Sequence, residues 1–175
     1  MHVLLRVLHH FGALLTAFAL QAYESTPGKS LWELEKFAWL VVFIPLVIST
    51  GGNSGNQSAT LVITAHSSGN ITLGDWWHVV RRELVMGLLL GSSLATLGFL
   101  CAAFMAPSVW AAIVIPVTLL LVVVCGTLAG SVLPLVFSRL GWDPALMSNP
   151  FVAGLIDLIG VIIYMSVAIL LLGAE

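Results

Sequence analysis

The sequence predicts an all-α integral membrane protein with five transmembrane helices in each subunit. The first observation is its composition: only 8 % of the 175 residues are charged, 59 % are hydrophobic, and the mean hydropathy is +1.09. A soluble domain has about 25 % charged residues, and so few polar side chains cannot cover a surface exposed to water. The second observation is that nearly all the charges lie between long apolar runs. A net charge of −2 also argues against a nucleic-acid-binding protein.

Five apolar runs have about the length that a membrane-spanning helix needs, which is about 20 residues. They cover residues 3–22, 37–65, 84–106, 109–137 and 150–173, so residues 1–175 form a single transmembrane domain in a lipid bilayer. Cytoplasmic segments of membrane proteins are enriched in Lys and Arg. Four of the six basic residues fall on one side of the predicted topology. This predicts a multi-pass protein of the plasma (inner) membrane with a cytoplasmic N-terminus and an outside C-terminus.

Asp157 is the one charged residue inside an apolar run. It follows Pro150 by seven residues, about 10 Å along a helix, and a carboxylate at that depth costs about 2.5–3.5 kcal/mol. No other apolar run contains a Lys or Arg that would pair with it. Three interpretations remain: a protonated carboxyl bonded to a neighbouring helix, a proton-relay group, and a cation site. We favour the cation site.

The helical face that carries Asp157 is small and polar. At 100° per residue, five positions fall within an arc of about 80°: Asn149, Ala153, Asp157, Gly160 and Tyr164. Asn149 has an equally good second interpretation, because Asn before a Pro is typical of a helix N-cap followed by Pro at the first helical position. The two roles are compatible, since a capping residue at a pore mouth still presents its carbonyl group.

A second polar stretch, residues 49–60, lies in the middle of the apolar run 37–65. Asn53, Asn56, Gln57 and Thr60 share one helical face, and Gly51 and Gly55 form a small-xxx-small pattern that lets another helix approach closely. One amide would usually only hold helices together, whereas three on one face favour a polar path. The predicted pore-lining residues are Gly52, Asn56, Gln57, Thr60 and Tyr164.

These residues would form an oxygen-rich site for a hard divalent cation. One carboxylate with amides and carbonyls suits Mg²⁺, Mn²⁺ or Ca²⁺. A single carboxylate cannot balance a dication, so we expect a homodimer that brings two copies of Asp157 together, with Gly51-xxx-Gly55 as a close-contact face. Mg²⁺ loses its water reluctantly, so amides would contact its hydration shell. The sequence has no nucleotide-binding loop, Ser-His-Asp set or metal-hydrolase motif. We therefore expect that the protein is not an enzyme and has no nucleotide partner.

The stretches GGNSGNQSAT (51–60) and DPALMSNP (143–150), with Asp157 after the second, are similar to the membrane domain of the MgtE magnesium channels. The segment from Asp75 to Gly91 also fits. The resemblance implies five helices per subunit and a homodimer with a Mg²⁺ pore at the subunit interface, lined by the second and fifth helices. It further implies that Asp157 binds the hydrated ion on the axis, with four residues nearby that contribute side chains or carbonyls: Asn53, Asn149, Ala153 and Gly160.

The chain departs from the family in one respect. Typical members carry a cytosolic N-domain and a pair of CBS domains before the first helix, whereas here only Met1–Arg6 precede it. The chain is therefore either an excised membrane domain or a domainless relative, and the resemblance does not extend to the family's gating by cytosolic Mg²⁺. Two other functions stay open: an ion-coupled carrier that uses Asp157 as its titrating group, and a non-transporting membrane subunit. The sequence does not rank Mg²⁺ against Mn²⁺, Co²⁺ or Ca²⁺ as the transported ion.

Overall fold

The computed structural model describes residues 38–142 and 149–172, without the side chains of residues 149 and 150. Within this part, every regular element is a helix. The elements are α1 (Ile44–Ser67), a 3-10 turn (Leu73–Asp75), α2 (Trp76–Met105), α3 (Val109–Ala112), α4 (Val114–Arg139) and α5 (Asn149–Leu172).

Four segments are long and apolar enough to cross a membrane: Ala38–Ser67, Leu73–Met105, Val109–Arg139 and Phe151–Leu172. They correspond to four of the five predicted spans and confirm a helical membrane protein. The remaining predicted span, residues 3–22, lies outside the described residues.

The bounds of two helices differ from the sequence prediction. α2 begins at Trp76 rather than near residue 84, because Arg81 and Arg82 project from the exposed side of a continuous helix. The predicted span 109–137 is divided into α3 and α4. The division follows from Pro116, which lacks the N–H group that would bond to the carbonyl of Ala112 and continue a single helix.

α4 is the central helix of the described part, where it packs against α1, α2 and α5. It is also the most apolar of the four spans, with a mean hydropathy of 2.7. Its side chains Ile115, Leu119 and Val122 are almost completely buried and form the main core with Val47 of α1 and Tyr164 of α5. A helix surrounded on three sides by others is expected to be apolar around most of its circumference.

Glycines bring α1 and α4 into contact through their backbones. A Cβ added to Gly126 would lie 2.7 Å from the carbonyl oxygen of Gly51, and one added to Gly55 would lie 2.8 Å from that of Gly126. A Cβ on Gly130 would overlap the carbonyl of Gly55. The small-xxx-small pattern therefore does mediate close helix packing. Its partner, however, is α4 of the same chain, so the expectation that this face joins two subunits was wrong.

α2 packs on the other side of α4 along a narrow seam. Its buried positions recur every three or four residues and are mostly small: Val79, Glu83, Gly87, Gly91, Ala95, Gly98 and Ala102. Gly87 lies against Thr127 and Val124 of α4, and Gly91 lies against Leu120. The remaining faces of α2 carry exposed Leu, Val, Met and Phe side chains, as expected for a helix that faces lipid.

Candidate ion-transport site

Asp157 on α5 lies directly against the backbone of α1 at Gly52. A Cβ added to Gly52 would overlap Oδ1 of Asp157 and would lie 3.4 Å from its Cγ and 3.7 Å from the carbonyl oxygen of Ala153. Gly52 is buried, whereas Asp157 and Ala153 are half-buried. The absence of a side chain at Gly52 is therefore what lets the carboxylate approach α1. Three of the predicted site residues are adjacent here.

The Asp157 carboxylate has no cationic partner among residues 38–142 and 149–172. The ion pair found in this part of the chain joins Arg82 to Glu83. A carboxylate in a membrane-spanning helix must face a partner, a cavity or an ion. The described part of the chain also contains no group of three or more His, Cys, Asp or Glu side chains that could hold a metal. Within residues 38–142 and 149–172, a cation bound here would thus meet the Asp157 carboxylate and neutral oxygen atoms.

The amide face of α1, the helix that Asp157 contacts at Gly52, is largely exposed in the described part of the chain. Asn53 and Gln57 are exposed, and Asn56 is half-buried. The amide nitrogen of Asn53 donates a hydrogen bond to Ser49 Oγ at 3.2 Å, while the Asn56 Oδ1 atom is buried and has no hydrogen-bond partner in the described residues. The amide side chains of α1 thus lie on a surface that the described helices leave largely uncovered.

An open groove of about 330 Å³ runs along this face, lined by Asn56, Gln57, Thr60 and Leu61. Its polar lining is neutral throughout. The Thr60 hydroxyl donates to the carbonyl of Asn56 at 2.9 Å, one turn earlier in the same helix. A groove with amide and hydroxyl groups offers both hydrogen-bond donors and acceptors without a net charge. Such groups can replace the hydrogen bonds that the water shell of an ion makes to bulk water.

Of the other predicted site residues, Tyr164 and Gly160 are buried in the described part of the chain, and Asn149 is described without its side chain. Tyr164 is only 2 % exposed and donates its hydroxyl hydrogen bond to the carbonyl of Leu40 at 2.8 Å, so the structure does not bring it to the amide face. Gly160 is buried, and a Cβ there would lie 3.3 Å from Val122 of α4. Asn149 is the first residue of α5, but its side chain lies outside the described atoms.

The sequence prediction missed one buried acid, Glu83 of α2. It belongs to the run Arg81-Arg82-Glu83, which the distribution of charges assigned to a membrane boundary. In the structure Glu83 is 3 % exposed and accepts a hydrogen bond from Ser58 of α1. The helical period could have predicted this burial, because Glu83 precedes Gly87 by four residues and therefore lies on the same face of α2.

Comparison with known proteins decides the family. Residues 44–167 match the family model of MgtE, described as a divalent cation transporter. The chain belongs to the MgtE family. The match begins at the first residue of α1 and ends within α5, so it includes both helices that carry the acid and the amides. The family is one of membrane transporters, which confirms the expectation that the chain is not an enzyme.

Three curated proteins from bacteria are similar over most of the chain, and each is named magnesium transporter MgtE. The one from Thermus thermophilus is 42 % identical over 169 residues, 92 % of this chain. Those from Enterococcus faecalis and Bacillus subtilis are 28 % and 26 % identical and match 90 % and 77 % of this chain. The matches cover 34 %, 33 % and 30 % of these proteins, so the chain spans about a third of the length of its relatives.

Proposed function

We propose that this MgtE-family chain forms a channel that passes hydrated Mg²⁺ across the membrane. The observation that carries the proposal is the Asp157 carboxylate, which has no cationic partner in the described residues and lies against Gly52 of α1, the helix that carries the exposed amides. The names of the relatives, all magnesium transporters, support Mg²⁺ as the ion. Mn²⁺ and Co²⁺ are admitted as ions with a similar hydration shell, and Ca²⁺ binds less well.

The pore lies between two copies of the chain. In a bilayer the exposed amides and the half-buried carboxylate cannot remain in contact with lipid, because each unsatisfied polar group there costs several kcal/mol. A second copy related by a two-fold axis covers this face with the same face and supplies a second carboxylate. Two copies of Asp157 then balance the charge of one dication. The Gly51 and Gly55 seam takes no part in this interface, because α4 occupies it.

In the pore, Asp157 attracts the cation and the neutral groups contact its water. Mg²⁺ binds six waters in an octahedron at about 2.0–2.1 Å and releases them slowly. Asn53, the backbone carbonyl of Ala153, and Asn149 at the start of α5 would bind these waters as donors and acceptors. Asn56, Gln57 and Thr60 continue the polar lining along the groove. Gly160 and Tyr164 support α5 from the side that faces the core.

Ion flux into liposomes that contain the purified protein tests this function. We expect passive Mg²⁺ flux for the parent, none for Asp157→Ala, and normal flux for the control Ser166→Ala. Ser166 is a suitable control because it is a polar residue of α5 whose hydroxyl donates a hydrogen bond to the carbonyl of Ile162 in its own helix. Flux that needs a proton or sodium gradient would establish a coupled carrier instead, and no flux at all would establish a non-transporting subunit.

The dimeric pore is tested separately by cross-linking. Gln57 is exposed near the middle of the amide face, so a Gln57→Cys variant should form a disulfide-linked dimer in the membrane. Leu97→Cys, on the exposed face of α2, is the matched control and should remain monomeric. A protein that transports Mg²⁺ but is only ever monomeric contradicts the interface described above.

A further inference from the structure

Glu83 connects three helices behind the pore-lining surface. Its carboxylate oxygen Oε2 accepts a hydrogen bond from Ser58 Oγ of α1 at 2.6 Å, and its backbone carbonyl accepts one from Thr127 Oγ1 of α4 at 3.3 Å. Glu83 and Ser58 are 3 % and 4 % exposed. The family assignment and the proposed pore leave this buried carboxylate without a role.

The bond from Ser58 is the main compensation for burying the Glu83 carboxylate. Arg82 Nε lies 3.7 Å from Oε1, but the Arg82 side chain is 58 % exposed, and ion pairs with such a partner contribute little. The distance from Ser58 Oγ to Glu83 Oε2, 2.6 Å, lies at the short end of the range for hydrogen bonds between two oxygen atoms. The link between α1 and α2 is therefore strong and directional.

The contact between α1 and α4 includes one hydrogen bond between side chains, His66 Nε2 to Ser138 Oγ at 2.8 Å, near the end of α1. Closer to Gly52, the two helices meet through the backbones around Gly51, Gly55, Gly126 and Gly130. Glycines set how closely two helices approach, but they have no side chains that interlock and resist rotation of one helix about its axis. The angle at which α1 presents its amide face therefore depends on side-chain contacts outside the glycine seam. Among the described residues, two of these are hydrogen bonds to other helices, Ser58 to Glu83 and His66 to Ser138, and Ser58 is the nearer of the two to Gly52 along α1.

Ser58 is on the opposite side of α1 from the site. At 100° per residue it is about 120° from Gly52 and about 140° from Asn53 around the helix. A rotation of α1 that lengthens the Ser58–Glu83 bond therefore also turns Gly52 relative to the carboxylate of Asp157. Since the carboxylate already lies in contact with Gly52, even a small rotation changes its position.

We propose that Glu83 is a positioning residue for the ion site, which acts by holding Ser58 and thereby fixing the rotation of α1 against α5. This inference rests on the proposed Mg²⁺ pore and adds a residue on a helix that does not line it. Glu83 does not contact the ion. Its effect reaches the site through one rigid helix, from Ser58 to Gly52 and Asn53.

Two buried serines of α1 provide a matched pair of variants. Ser54 and Ser58 are one turn apart and equally buried, at 5 % and 4 % exposed, but Ser54 donates to the carbonyl of Thr50 in its own helix. The measurements are the Mg²⁺ concentration that gives half-maximal flux into liposomes and the melting temperature without Mg²⁺. We expect Ser58→Ala to raise the half-maximal concentration up to about tenfold, the effect of losing one buried hydrogen bond. Ser54→Ala should leave it unchanged.

Variants of Glu83 itself distinguish positioning from a bare charge. Glu83→Gln retains an oxygen that accepts from Ser58 and should stay within about threefold of the parent, whereas Glu83→Leu should match Ser58→Ala. The double variant of Ser58→Ala and Glu83→Leu should be no worse than either single one, because both remove the same bond. Where Glu83→Leu fails to fold, the serine pair decides.

Three results would overturn the proposal. These are equal Mg²⁺ dependence of Ser58→Ala and Ser54→Ala, a lower melting temperature of Ser58→Ala with an unchanged Mg²⁺ dependence, and a Glu83→Gln variant as impaired as Glu83→Leu. The parent and Asp157→Ala serve in the same assay. A parent without Mg²⁺ flux refutes the proposed pore, whereas a normal parent with unaffected Ser58→Ala refutes only the role of Glu83.

Discussion

Replacing Gly52 with Ala tests whether the close approach of α5 to α1 defines the ion site. The new Cβ would overlap Oδ1 of Asp157, while its distances to Cγ and to the carbonyl of Ala153, 3.4 and 3.7 Å, are ordinary contacts. Only the end of the Asp157 side chain has to move. To regain a normal contact the carboxylate moves by on the order of 1 Å, which exceeds the tolerance of about 0.5 Å for a binding constellation.

We therefore expect Gly52→Ala to fold normally and to bind Mg²⁺ poorly. The substitution removes a helix-interior glycine, which by itself favours the helix by up to about 1 kcal/mol, so the melting temperature without Mg²⁺ should not fall. The Mg²⁺ concentration for half-maximal flux should rise about tenfold or more, because Mg²⁺ demands near-ideal octahedral geometry. Both quantities are measured on purified protein, the first in detergent and the second in liposomes.

Gly154→Ala is the matched control for this experiment. Gly154 is on α5, the helix that carries Asp157, and a Cβ there would meet nothing within 4 Å. It should transport Mg²⁺ like the parent. If Gly52→Ala and Gly154→Ala show the same Mg²⁺ dependence, the contact between Gly52 and Asp157 does not define the site. If Gly52→Ala instead fails to fold, the carboxylate is held rigidly and the reasoning about its displacement is wrong.

Four further predictions follow from the same contacts. Asp157→Ala should keep its fold, because it removes a lone intramembrane charge. In the parent, Mg²⁺ should raise the melting temperature and a chelator should reverse the rise, whereas in Asp157→Ala Mg²⁺ should have no effect. Gly130→Ala should lower the melting temperature, since its Cβ would lie 2.7 Å from the carbonyl carbon of Gly55 and such overpacking costs about 1–3 kcal/mol; an unchanged value would contradict the glycine seam. Tyr164→Phe should lose about 1 kcal/mol of stability with the bond to the Leu40 carbonyl and keep the parent's Mg²⁺ dependence, whereas a pore-lining Tyr164 would change it. Cobalt hexammine should compete with Mg²⁺ better than Ca²⁺ does, and Asn53→Ala should weaken this preference; equal competition by Ca²⁺ with no effect of cobalt hexammine would mean direct coordination.

The sequence predicted the acid and the amide face because both are anomalies in a membrane. A charge or three amides inside an apolar run have a large cost in lipid whatever the fold, so their positions alone point to a site. The helical period also placed Asn53, Asn56, Gln57 and Thr60 on one face of α1, and all of these except the half-buried Asn56 are exposed in the structure.

The sequence could not show in the same way which helix packs against the glycine face of α1. The spacing of Gly51 and Gly55 shows that a helix approaches closely, but not which one, and the glycines of α4 are as suitable as those of a second subunit. Tyr164 shows the limit of an 80° arc. It shares the arc with Asp157, yet its side chain is buried and its hydroxyl donates to the carbonyl of Leu40, ahead of α1. Glu83 was hidden because neighbouring arginines made it look like part of an interfacial charge cluster.

The hydroxyl groups of α1 bear on how this helix enters the membrane during synthesis. The span that contains α1 has the lowest mean hydropathy of the four, 1.4 against 2.0 to 2.7. Yet the hydroxyls of Ser54, Thr60 and Thr64 each donate to a carbonyl one turn earlier in α1 itself. These donors are satisfied before any neighbour arrives, so they add little to the cost of moving the helix from the translocon into lipid. The remaining free-energy cost of placing α1 in lipid comes from the amides of Asn56 and Gln57. Those groups leave lipid only when the complete protein assembles, so α1 reaches its final environment at assembly and not at insertion.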